Sequence, residues 1–72
     1  MSLEADLTTT TQYVSEVRRV IAQQLVRIAK LADVGCSTFD AQENLQAFRS
    51  TLTVLEGHER HLRDVKRRAA AA

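Results

Sequence analysis

Proline and tryptophan are absent from this 72-residue chain, and cysteine, methionine and tyrosine occur once each. Glycine occurs only twice, as Gly35 and Gly57. Turn-dense β architectures, collagen-like repeats and proline-rich segments all need residues that are missing here, so none of the three is compatible with the composition. The single cysteine, Cys36, cannot close an intramolecular disulfide, which removes the device that stabilises most small secreted domains and fits a reducing, cytoplasmic setting. No apolar run approaches the roughly 18 residues of a membrane span, and the opening Met1-Ser2-Leu3-Glu4-Ala5-Asp6 is acidic where a secretory signal would be basic. Ten Lys and Arg stand against nine Asp and Glu, a formal +1. So small an imbalance selects no electrostatic class of partner.

What is present is a single short domain, residues 1–72, with 19 Leu, Ile, Val and Phe residues and ten alanines, four of these at Ala69 to Ala72. Only Asp33-Val34-Gly35-Cys36-Ser37-Thr38 interrupts a helical pattern. Gly35 suits the left-handed position that ends a helix, because without a Cβ it takes φ > 0 at little cost. Ser37 or Thr38 then offers a capping oxygen to the next helix, with Asp40 three residues after Ser37 where a capping acid sits.

Before this turn, Leu7, Val14, Ile21 and Ile28 fall in one heptad position and Thr10, Val17, Gln24 and Leu31 in another, with Val20 and Leu25 widening the stripe. After it, Ala41, Leu45, Phe48, Leu52, Leu55 and Leu62 repeat at fours and threes, with Glu59 interrupting once. These spacings predict an all-α fold, a coiled-coil-like antiparallel hairpin of two helices. Helix one is expected over about 4–33, the turn over 34–38, helix two over about 39–68, and a frayed alanine tail over 69–72. The run Thr8 to Thr11 has low helix propensity and leaves two starts open for the first helix, at Ser2 or only near Thr9. A lone hairpin cannot shield a stripe about 100° wide on both helices, so the expectation is a homodimer of hairpins closing into a four-helix bundle. Its core and interface fall to Val14, Val17, Ile21, Gln24, Ile28 and Leu31 on the first helix. Leu45, Phe48, Leu52, Leu55 and Leu62 supply the second. Gly57, inside helix two, is either a weak point or a place where another backbone comes close.

Chemistry has few carriers. His58, His61 and Asp64 recur at intervals of three on one helix, a spacing that could offer ligands to a divalent metal, but Arg60 and Arg63 stand among them and one helix supplies at most part of a tetrahedral shell. No metal and no cofactor are expected. A Ser or Cys nucleophile needs a base beside it, and Cys36 in the turn lies far along the hairpin from either histidine, so an enzyme is not expected either. Residues 60–72 carry Arg60, Arg63, Lys66, Arg67 and Arg68 against Asp64 alone, while residues 1–17 carry Glu4, Asp6 and Glu16 and no Lys or Arg. Five cations on one helix end can contact nucleic-acid phosphates. They also complement the helix dipole and, in an antiparallel pair, the acidic start of helix one.

Ile28-Ala29-Lys30-Leu31, Gly35, Thr38, Ala41, Leu45, Phe48, Leu52, His58, Arg60 and Leu62 resemble small helical-hairpin proteins of unassigned function from rhizobia and related α-proteobacteria, over residues 28–62. That resemblance implies a bacterial cytoplasmic hairpin and carries over no catalytic residue. The layout is also similar to that of plasmid copy-control RNA-binding proteins that form dimeric four-helix bundles, a likeness of arrangement that transfers no function. The functional expectation is a non-enzymatic helical module for protein–protein contact or regulation, acting as a dimer or on a helical protein partner. The alternative is a dimeric bundle that binds nucleic acid through its basic helix ends.

Overall fold

A computed structural model describes residues 2–72, and in it the chain is two long helices joined by one tight turn: α1, Leu3–Asp33, and α2, Phe39–Ala71. The helices fold back on each other as a hairpin measuring 58 × 18 × 14 Å. Its Cα radius of gyration is 16.6 Å, against about 11 Å for a compact chain of this length. The hairpin is therefore a rod.

Ser2 starts α1, its Oγ accepting a hydrogen bond from the Ala5 N–H at 3.0 Å. Glu4 and Asp6 in the first turn add favourable charge at the positive end of the helix dipole. The threonine run is helical throughout, because Thr10 is buried at the helix interface and its hydroxyl donates to the Asp6 carbonyl at 2.8 Å, so that its polar group has a partner. At the other end, Gly35 has φ +74°. The Cys36 N–H donates to the Leu31 carbonyl at 2.9 Å and the Gly35 N–H to the Ala32 carbonyl at 3.1 Å. That pair of bonds is the Schellman motif, which satisfies two orphan carbonyls and reverses the chain.

The start of α2 departs from the expected cap. Thr38 occupies the cap position, but its side chain makes no capping bond; its Oγ1 accepts instead from the Gln42 amide at 2.9 Å. Ser37 does the capping work from one residue earlier, its Oγ accepting from the Phe39 N–H at 3.3 Å. Asp40 contributes only negative charge in the first turn. The far end also differs from expectation: α2 continues to Ala71, three residues past Arg68, so residues 69–71 are helical. Alanine has the highest helix propensity of any residue, and nothing in the tail breaks the helix.

Two ion pairs mark the register. Arg18 meets Glu56 at 2.8 Å and Lys66 meets Glu4 at 3.1 Å, which places Val17 level with Leu55, Gln24 with Phe48, and Ile28 with Leu45. Full burial is confined to two places along this seam. Thr10, Val14 and Leu62 are buried near the free end, and Ala41 and Leu45 near the turn.

Candidate interaction surface

Between those two buried clusters the seam is only half covered. Val17, Val20, Ile21 and Gln24 on α1, and Phe48, Leu52 and Leu55 on α2, are all half-buried. Ile28 and Leu31 are half-buried as well, so of the eleven residues assigned to the core only Val14, Leu45 and Leu62 are closed off from solvent within one hairpin. The geometric cause is simple. Each helix can cover one side of its neighbour, and the apolar stripe is wider than that side.

Gln24 sits at the turn-side end of this stretch, and its Oε1 is buried with no hydrogen-bond partner. Turning the amide over would bury the other end in the same surroundings. A buried polar atom left unpaired costs about 1–3 kcal/mol, so Gln24 is under pressure to find a partner.

Outside the seam, Tyr13, Leu25, Val26, Val34, Phe39 and Val54 are exposed. Leu25 and Phe39 border a shallow groove beside the turn, together with Ile28, Leu45, Gln42 and Arg49. Glu43 and Gln46 complete its lining, and the groove is open to solvent, unlike the enclosed and mostly apolar pockets that bury small molecules.

The basic end of α2 is largely paired within the chain. Arg63 lies 3.6 Å from Glu59, Lys66 reaches Glu4, and Arg67 and Arg68 both grip Asp64, the latter at 3.0 Å. Arg60 alone of the five carries no ion pair among the described residues. The expected juxtaposition of the basic end with the acidic start of α1 is realised in the Lys66–Glu4 pair. The arginine and lysine ends of these contacts are exposed, while Glu59 and Asp64 are partly buried; pairs with a solvated partner contribute about 0–1 kcal/mol. A third α1 pair, Arg19 with Glu16, lies on the outward surface.

His58 and His61 are both exposed, and Asp64 is engaged by its two arginines. Among the described residues no group of three or more His, Cys, Asp or Glu side chains is placed to hold a metal ion. Cys36 is exposed in the turn. No helix among the described residues is long and apolar enough to cross a membrane.

Sorting residues into core positions on each helix locates the seam but leaves its two edges unranked. The signal that separates them is the charge of the residues flanking the core positions, and it becomes readable once Arg18 and Glu56 are known to meet. Comparison with protein-family models, with curated proteins and with solved structures finds no match, so none of these comparisons adds to the resemblance noted over residues 28–62.

Proposed function

We propose that this chain is a non-enzymatic helical interaction module whose half-covered seam is completed by helices from outside the hairpin, most simply those of a second copy in a four-helix bundle. The observation that carries the reading is the stretch from Val17 to Gln24 facing Phe48 to Leu55, apolar but for one glutamine and half-exposed throughout. Surface area supports it. The chain exposes 5393 Å², about 900 Å² more than the ~4500 Å² of a compact monomer of this mass. A standard interface removes about 800 Å² from each partner. Light scattering at micromolar concentration should therefore return at least twice the 8.1 kDa of one chain. A cooperatively folded, stable monomer would overturn the reading.

A second reading, nucleic-acid binding through Arg60, Arg63, Lys66, Arg67 and Arg68, has the exposed and unpaired Arg60 in its favour. The intramolecular pairing of the other four weighs against it, since each phosphate contact would have to displace a carboxylate already in place. A salt-dependent mobility shift with mixed RNA and DNA would move this reading to first place.

A further inference from the structure

The two edges of the seam differ in charge. Arg18 and Glu56 meet across one edge, and counting by sevens from each places Glu4, Arg49 and Arg63 along it as well. The groove that joins Leu25 to Arg49 lies on this same side. Helical spacing puts Tyr13 and Val20 of α1, with Thr51, His58 and Val65 of α2, along the opposite edge. Only Asp6 and Arg27, toward its two ends, bring charge there. Val17, Gln24, Phe48 and Leu55, all half-buried, lean to this less charged side because their heptad position is the one next to it.

Building on the interaction reading above, we infer that a second copy of this chain packs on the edge marked by Tyr13 and Val20, with both turns at the same end and the two Gln24 amides exchanging hydrogen bonds across the centre of the bundle. Three observations converge on this occupant. The excess exposed area of one hairpin matches what one partner contributes to a standard interface. A half-covered stretch lies midway along the rod, where a twofold mate of equal length overlaps it fully. The Gln24 Oε1, buried and unpaired in one hairpin, gains a partner when the half-buried side chain turns its amide outward to the Nε2–H of the same residue on a twofold mate, and same-end packing keeps the two at one level. A single buried amide pair of this kind fixes register and limits the number of chains. The charged edge, by contrast, is already occupied by ion pairs that a second copy would have to desolvate.

Tyr13 and Leu25 are 58% and 46% exposed on opposite edges of the same helix, so Tyr13→Glu and Leu25→Glu each add one charge without disturbing the hairpin's own core. Both variants should keep the parent's helical circular dichroism at high concentration. Tyr13→Glu should raise the dimer dissociation constant at least about 100-fold by desolvating a carboxylate with no partner, and Leu25→Glu less than about fivefold. The exposed Cys36 tests the orientation: a bismaleimide with a spacer of about 15 Å should join the two copies of the parent covalently, and should fail on Tyr13→Glu at the same concentration. If the parent dimerises but Leu25→Glu is the variant that dissociates, the chosen edge is wrong while the interaction reading stands. Failure of Cys36 to cross-link in a proven dimer would overturn the same-end arrangement. A parent that remains a folded monomer would overturn the second copy as occupant and the interaction reading with it.

Discussion

Replacing Gly57 with alanine should stabilise the protein, and the size of the gain follows from what surrounds the position. Gly57 lies in the interior of α2, 14 residues before its last residue, Ala71, with a negative φ that any residue adopts in a helix. A Cβ built there meets no atom within 4 Å, so the substitution has no steric cost inside the hairpin. Its benefit is the difference in helix propensity, about 0.8–1 kcal/mol per chain, much of it from lowering the entropy of the unfolded state. With an unfolding entropy of about 2.1 cal/mol/K per residue, 72 residues give roughly 150 cal/mol/K, and the midpoint should rise by about 5–7 °C. Twofold assembly doubles both quantities and leaves the shift unchanged. Circular dichroism melts of parent and variant at one matched protein concentration measure it directly, because an assembling protein melts at a concentration-dependent temperature. Helical spacing turns residue 57 away from the edge assigned to the second copy, so the same rise is expected whether or not the hairpin dimerises. A lower midpoint would refute the reasoning. Since nothing in the chain opposes the added methyl, a loss could come only from another backbone lying against Gly57 in solution, and that would place a partner on the outer surface of α2.

Leu55→Ala should cost about 2–5 kcal/mol in denaturant unfolding and weaken assembly in step, because a second copy would cover the half of Leu55 that the hairpin leaves exposed. A cost below about 1 kcal/mol would show that Leu55 stays half-solvated and would count against a closed bundle. Replacing Arg63, Lys66, Arg67 and Arg68 together with glutamine should lower the melting midpoint by a few degrees at low salt and by less at 0.5 M salt, since exposed pairs are weak and screened. If that variant keeps its fold but loses RNA or DNA binding that the parent makes, the basic end is a nucleic-acid surface.

The parts of the fold readable from residue order are those decided by local chemistry. Gly35 announces the turn because only a residue without Cβ takes φ +74° without strain, and the stop it makes requires no knowledge of what α1 packs against. The positions of the two helices follow from the spacing of apolar residues in the same way. The details that differ are contests between local options. Ser37 rather than Thr38 takes the first orphan N–H of α2 because Thr38 Oγ1 is taken up by the Gln42 amide. The alanine tail stays helical because fraying needs a residue that prefers another conformation. At the other end, the weak propensity of the threonine run is outweighed by the burial of Thr10 beside Val14 and by the Ser2 cap.

Function is less legible for a physical reason that lies in the seam itself. Hydrophobic periodicity records that Val17, Ile21, Phe48 and Leu55 must be covered, and it does so identically whether the cover is the other arm of the hairpin or a different chain. Residue order alone therefore cannot divide the stripe between folding and assembly. Register can, because it ranks each apolar position by how much cover the hairpin already supplies: Val14, Leu45 and Leu62 are closed off by the fold, while the stretch between them is not. The same register turns a scatter of charges into two unlike edges, one joined by Arg18 and Glu56 and the other lined by Tyr13 and Val20. Gln24 lies where the two rankings coincide. It stands at a core position, in the half-covered stretch, on the edge with fewer charges, with an acceptor that nothing else among the described residues satisfies. For a purely intramolecular core that residue is a defect that leucine would remove, whereas for a bundle that must admit one mate in one register it is the residue that sets the fit.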